Sequence, residues 1–209
     1  KRPLCLAVFG PPGSGKSFGV EEVANSLAKS AGAEILKLTF NLSQFEQPQE
    51  LSRVLHLVRD AVLKGKTPLV FFDEFDSSVG TTRLFWLKYL LAPMQDGEFL
   101  DQGTVHPIGR AIFVFAGGTS GRYADFVPRQ FDSSGRETTA WSEFRLAKGP
   151  DFVSRLRGVL NIPGIEISQP QARGAALLRR AGVLRFQLND KAKHLFDTDG
   201  KLQIDPGLL

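Results

Sequence analysis

Leu4-Cys-Leu-Ala-Val-Phe9 followed by Gly10-Pro-Pro-Gly-Ser-Gly-Lys-Ser17 is the stretch on which the reading of this chain turns. The apolar run ends abruptly in glycine and proline, the pattern of a strand buried on both faces. Val20, Val23, Ala24, Leu27, Ala28 and Ala31 then recur at helical spacing, which predicts an amphipathic helix. Between the two, residues 10–17 fit G-x-x-x-x-G-K-[ST] in full. Glycines at 13 and 15 permit backbone angles that other residues resist, so successive N–H groups can turn inward around a phosphate. A helix starting near Lys16 adds the positive end of its dipole. Lys16 is placed to reach the β- and γ-phosphates, and the Ser17 hydroxyl to ligate magnesium. The bland alternative is a glycine-rich turn that binds nothing; a strand before it and a helix after it argue against that.

The remaining chain has the composition of a globular domain. It has 209 residues, 42% of them hydrophobic and 23% charged, which excludes a disordered tail, a collagen or a disulfide scaffold. No apolar run approaches the roughly 18 residues of a membrane span, the expectation for a soluble chain that does not enter a membrane. The single cysteine, Cys5, cannot form an internal disulfide and fits a reducing compartment, here the cytoplasm. Nothing at the start reads as a signal peptide. The formal net charge of +4 lies entirely in residues 121–209, which carry ten arginines. No run of five basic residues occurs, so nucleic acid as a direct ligand is weakly supported. An arginine-rich half facing an anionic ligand or a neighbouring subunit is the other reading.

Strands and helices alternate along the chain. Glu34–Phe40, Pro68–Phe72, Ala111–Ala116 and Val159–Ile162 read as further strands. Leu51, Val54, Leu55, Val58, Ala61 and Val62 predict a second helix, and Arg83–Met94 a third. Such alternation argues for a parallel sheet covered by helices on both faces. Turn signals at Asp96-Gly97 and Gln102-Gly103 predict a β-hairpin within residues 95–110, with Phe99 and Val105 as its apolar members. Residues 127–143 read as a mobile polar loop, and Pro170 as the start of a second helical region. The expected division is an α/β domain at 1–167 and a partial helical lid at 168–209. Asp205-Pro206 is a helix-start signal close to the last residue, which reads as a piece of a longer polypeptide.

Leu69-Val-Phe-Phe-Asp73-Glu74 supplies a partner for the glycine-rich loop. Four apolar residues place Asp73 at the exposed carboxyl end of a buried strand, where it can hold magnesium through water. Glu74 can orient and deprotonate an attacking water. The spacing from Lys16 leaves room for one helix, one strand and another helix. A nucleotide-binding domain without hydrolysis is the alternative, and the presence of Glu74 weighs against it.

Gly10–Ser17 together with Phe-Phe-Asp-Glu-Phe-Asp76 resembles the AAA+ superfamily of ring-forming P-loop ATPases, over about residues 4–190. The resemblance implies a five-stranded parallel P-loop NTPase sheet sandwiched by helices, followed by a small helical lid, here truncated. In that sheet the phosphate-loop strand neighbours the fourth strand. It further implies ATP and Mg2+ as cofactors, with Gly10, Pro11, Pro12, Gly13, Ser14, Gly15, Lys16, Ser17 and Phe18 binding nucleotide and Ser17 and Asp73 managing the metal. Ala111–Ser120 would bring Thr119 beside the attacking water as the polar "sensor 1" residue. A plain helix N-cap is the alternative for Thr119, and Ser120 could replace it.

Phe152-Val-Ser-Arg155 is similar to the segment carrying the arginine finger, with Arg157 in reserve and solvated surface arginines as the alternative. The lid's sensor 2 arginine has no clear place among Arg173, Arg179 and Arg180. The aromatic pore loop of protein-threading motors is missing, and Phe40–Phe45 reads better as a packed core edge than as its substitute. The hairpin at 95–110 is closer to unfoldase and chelatase branches than to clamp loaders. Leu195-Phe-Asp-Thr-Asp-Gly200 and Ile204-Asp-Pro-Gly207 resemble large bacterial AAA+ proteins that carry a ryanodine-receptor-type module.

The implied activity is Mg-dependent ATP hydrolysis coupled to remodelling of a macromolecule, in a ring or filament of self-associated copies such as a hexamer. The partner would be a protein client or an attached effector domain. Rival readings are a nucleotide-gated signalling switch with low turnover and a nucleic-acid-dependent ATPase. Asp197–Gly200 reads as a turn rather than a calcium loop, because Lys201 takes the next ligand position. His56, His106 and His194 are scattered in sequence without cysteine partners, so no zinc site is expected. Trp86 and Trp141 read as core or interface residues.

Overall fold

The computed structural model describes residues 2–32 and 34–162, together with Gly174, Leu178, Ala181 and Gly182, which are helical. The proposed boundary at 167/168, the sensor 2 candidates, His194, Asp197–Gly200 and the Asp205-Pro206 signal lie outside the described residues.

The elements are β1 Leu4–Phe9, α1 Lys16–Ala31, β2 Ile35–Asn41, α2 Pro48–Leu63, β3 Thr67–Asp73, α3 Leu87–Gln95, β4 Glu98–Asp101, β5 Thr104–Pro107, β6 Ile112–Ala116, α4 Tyr123–Phe126, α5 Thr139–Leu146, α6 Gly149–Val153 and β7 Gly158–Asn161. Five strands form one parallel sheet in the order β2-β3-β6-β1-β7. β1 therefore lies beside β6, the fourth strand of the sheet, as the resemblance implied. The central strands are buried on both faces, with Val70, Phe71, Phe72, Phe113, Val114 and Phe115 fully enclosed. That is why they read as continuous apolar runs rather than alternating ones.

On one face α2, α3 and α6 cover a core rich in phenylalanine. Phe75 stacks on Phe152 at 5.3 Å, and its edge meets Phe9 at 6.0 Å. The face toward α1 is thinner: Ala24 is buried there against Val8, Leu69, Phe71 and Val114. Val23, expected on the apolar stripe, is 61% exposed and corrects that expectation. Trp86 is fully buried, as read. Phe40 and Phe45 pack against Phe72 and Trp86, which supports the core-edge reading of that segment.

Two further expectations are corrected. The third helix begins at Leu87 rather than Arg83, because Val79 and Thr82 pair in a bridge and Leu84 adopts a left-handed conformation with φ of 53°. Residues 127–143 are not a featureless loop. Asp132 Oδ1 accepts from Ser134 N at 2.8 Å and Arg136 N at 3.0 Å, closing a turn. Thr138 Oγ1 then accepts from Trp141 N at 3.1 Å and caps α5. The expected hairpin is present as β4 and β5, with Phe99 facing inward and Val105 57% exposed.

Cys5 is enclosed in the sheet, and burial pushes its thiol up from about 9.0 to about 12, with Arg157 and Arg2 opposing weakly. Native protein should therefore resist thiol reagents at pH 8, whereas one equivalent should react in denaturant. The raised thiol contributes stability below about pH 9.0 and loses it as pH climbs toward about 12. Prompt stoichiometric labelling of the folded chain would contradict the burial.

Candidate active site at the carboxyl edge of the sheet

β1 ends at Phe9, and the chain turns through Gly10–Gly15 into α1. Gly13 and Gly15 have φ of 73° and 80°, the conformations the motif was read to need. A side chain at Gly10 would stand 2.7 Å from both the Ile162 carbonyl oxygen and Ser14 Oγ. Gly15 is the N-cap of α1 and offers no side-chain cap, which suits the N–H groups of Lys16 and Ser17 at the helix start to an anion. Ser14 Oγ is buried without a hydrogen-bond partner. Lys16 Nζ folds back to donate to the Gly10 carbonyl at 2.6 Å and the Pro11 carbonyl at 3.3 Å.

Strand register brings the second element alongside. Asp73 and Val8 both pair with Ala116, one from each side. Glu74 N donates to the Ala116 carbonyl at 2.9 Å, and Gly117 N to the Val8 carbonyl at 3.0 Å. The glycine-rich loop, the acidic pair and the segment after β6 thus share one edge of the sheet. Burial pushes the Lys16 ammonium below its ordinary range, while Asp73, Asp76 and Glu74 pull it back up. Burial likewise raises Asp73; Lys16 opposes this, and Glu74 adds to it. The two groups lose more from leaving water than they recover from each other, so a hydrated cation and an anion between them would relieve both.

Glu74 adopts φ of 53°, an uncommon conformation for a residue with a side chain. Gly118 lies directly against it: a Cβ there would stand 2.4 Å from Glu74 Cγ. Thr119 is exposed on the same loop, and its N–H donates to Asp76 Oδ1 at 3.3 Å. The N-cap of α4 is Arg122, so Thr119 is not capping that helix.

Asp76 is the residue that sequence reasoning missed. At 4% exposure it is a charged side chain buried among the described residues. Oδ1 also accepts from Gly118 N at 2.9 Å, and Oδ2 from Ser120 N at 2.8 Å. It ties the turn after β3 to the loop after β6. The available signal was an acidic residue inside Glu74-Phe75-Asp76, flanked by an aromatic bound for the core.

Arg155 lies elsewhere. Arg157 N donates to the Cys5 carbonyl at 2.8 Å, which fixes this segment at the amino-terminal edge of the sheet, away from the glycine-rich loop. Arg155 Nη1 donates to the Asp151 carbonyl and, at 3.4 Å, to Ser154 Oγ; its Nε is buried without a partner. Arg157 is exposed.

The donor chemistry at the carboxyl edge fits a magnesium nucleotide. Ser17 and Asp73 offer hard oxygen ligands, and the orphaned Ser14 hydroxyl and uncapped helix start suit phosphate oxygens.

The sequence profile of the family described as "AAA: ATPase family associated with various cellular activities" matches residues 6–113. The chain belongs to this AAA ATPase family. A relative from Corynebacterium urealyticum described as "AAA ATPase forming ring-shaped complexes" is 30% identical over 89 residues, covering 36% of this chain and 16% of the relative. A "Proteasome-associated ATPase" from Frankia casuarinae is 33% identical over 91 residues, covering 37% of this chain and 15% of the relative. The chain thus matches about a sixth of the length of the curated relatives. Among solved structures, the S. cerevisiae Hsp104:casein complex in its extended conformation aligns with a TM-score of 0.57 at 14% identity, over 93% of this chain and 33% of that one. That likeness concerns the fold. No helix among the described residues is long and apolar enough to cross a membrane.

Proposed function

We propose that this chain binds ATP with Mg2+ and hydrolyses it within a ring of like subunits, using the cycle to remodel a protein. The observation that carries the reading is the convergence of Lys16, Asp73, Glu74 and the 117–120 loop at one sheet edge. The backbone of residues 10–15 and Lys16 hold the phosphates, with Pro11, Pro12 and Phe18 completing the nucleotide-binding stretch. Ser17 and Asp73 hold Mg2+, which neutralises charge on the phosphate oxygens. Glu74 accepts a proton from the water that attacks the γ-phosphorus; the bond to the bridging oxygen breaks, leaving ADP and inorganic phosphate. Thr119 positions that water. Relatives named for ring-shaped complexes and for the proteasome support self-assembly and a protein client, and the free buried thiol of Cys5 suits the cytoplasm.

Arg155 acts on the neighbouring subunit's nucleotide. Its place at the amino-terminal edge supports this, because it stands across the sheet from its own phosphate loop. An arginine finger contributes roughly 10³–10⁵ in rate. Arg155→Ala alone and Glu74→Gln alone should each be nearly inactive. Mixed, they should recover part of the hydrolysis, since some interfaces then pair an intact Glu74 with an intact Arg155. Activity per subunit should also rise with wild-type concentration. Co-assembly without recovery at any mixing ratio would overturn the shared-site arrangement, and no hydrolysis by assembled wild type would overturn the ATPase reading.

A further inference from the structure

Two of the histidines scattered in sequence, His56 and His106, meet in space. In the hairpin register Phe99 faces His106 and Asp101 faces Thr104. Side chains alternate along a strand, so Phe99, Asp101 and His106 share one face of the hairpin. That face meets His56 of α2. His56 Nε2 lies 3.0 Å from Asp101 Oδ2. Its ring centroid is 4.7 Å from that of His106 and 4.8 Å from that of Phe99. One ligand atom from each of His56, Asp101 and His106 lies within 4.8 Å of the others, and all three side chains are half-buried.

We propose that His56, Asp101 and His106 form a binding site for a divalent transition-metal ion of the zinc class, clamping the β4–β5 hairpin onto α2. Two imidazoles and a carboxylate select zinc and its neighbours over Mg2+, which prefers oxygen alone. A tetrahedral ion with bonds of about 2.0–2.1 Å sets its ligand atoms about 3.3 Å apart. His56 Nε2 and Asp101 Oδ2, 3.0 Å apart, already stand within about 0.3 Å of that spacing. The remaining separations need to close by at most about 1.5 Å, within reach of side-chain rotation. Phe99 walls one side of the site, its ring edge-on to His56; a water would complete a tetrahedral ligand set.

The clamp has a mechanical consequence. Leu100 and Val105, on the hairpin's other face, are 64% and 57% exposed. A metal behind them would hold this apolar pair in a set orientation. The site is independent of the nucleotide edge: β5 leads through Ile108–Ala111 into the amino end of β6, whereas Asp73 and Glu74 flank its carboxyl end.

The test uses the full chain, stripped with EDTA and titrated with Zn2+ against a chromogenic chelator in millimolar Mg2+. One equivalent of tightly held Zn2+ and a higher melting temperature are expected. Co2+ in its place should give visible d–d absorption. His56→Gln and His106→Gln keep hydrogen-bonding capacity; each should weaken Zn2+ binding at least tenfold, abolish the Co2+ bands and melt like the parent in EDTA. Parental chain that melts cooperatively yet binds no Zn2+ would leave a hydrogen-bonded contact only and overturn the proposal. So would stoichiometric Zn2+ binding that survives in both variants.

Discussion

Glu74→Gln protein should keep its affinity for ATP within a few-fold and lose turnover by roughly 10²–10⁴ in kcat. The amide matches the carboxylate in shape, so the left-handed backbone at Glu74 and its close packing on Gly118 are preserved. What disappears is the proton acceptor. Removing that charge also withdraws one of the influences that raise Asp73, so the Asp73 carboxyl moves toward its ordinary range. Single-turnover hydrolysis and nucleotide titration on the same preparation check both halves. Hydrolysis at the parental rate would remove Glu74 from its assigned role.

Asp76→Ala should be the most destabilising single change near the site, although Asp76 touches no reacting atom. Three N–H groups, from Gly118, Thr119 and Ser120, converge on its carboxylate. Hydrogen bonds to a charged partner are each worth about 1.5–3 kcal/mol, but two of the donors sit on exposed residues and recover water. We expect a loss of roughly 2–4 kcal/mol, or a Tm lowered by roughly 5–15 °C. Function should suffer beyond stability. With the tether gone, Thr119 and Gly118 no longer hold station against Glu74, and hydrolysis should fall even at temperatures where the variant stays folded. Asp76→Asn should fall between, because an amide offers one accepting oxygen and sets its NH2 against a backbone donor. Asp76→Ala unfolding within about 0.5 kcal/mol of the parent would show that the tether carries little.

The two sites differ in how far they could be read from residue order. Gly10–Ser17 is local: loop, strand end and helix start are contiguous, and glycine at 13 and 15 permits the positive φ found there. Asp73 and Glu74 were legible because a run of buried apolar residues must end where the strand leaves the core. Their partnership with the phosphate loop was read from the strand end and the spacing to Lys16, while the strand order that brings them together came from family resemblance, since it is invisible to periodicity. The start of α3 was misplaced because apolar spacing continues through Arg83–Trp86 while the backbone at Leu84 turns left-handed. Val23 satisfies the helical stripe, yet the thin packing on that face leaves it exposed.

Residue order alone established the class of sheet, the phosphate loop and the acidic pair, because each depends on short-range geometry and on burial along one strand. Folding in three dimensions settled the Asp76 tether, with its partners 42 to 44 residues away, and the His56–Asp101 meeting across 45 residues. It also put Arg155 at the far edge from its own phosphate loop. Such contacts arise when separate strands and helices close around a common core. Nothing in the spacing of a linear chain encodes which distant polar groups that closure will leave face to face.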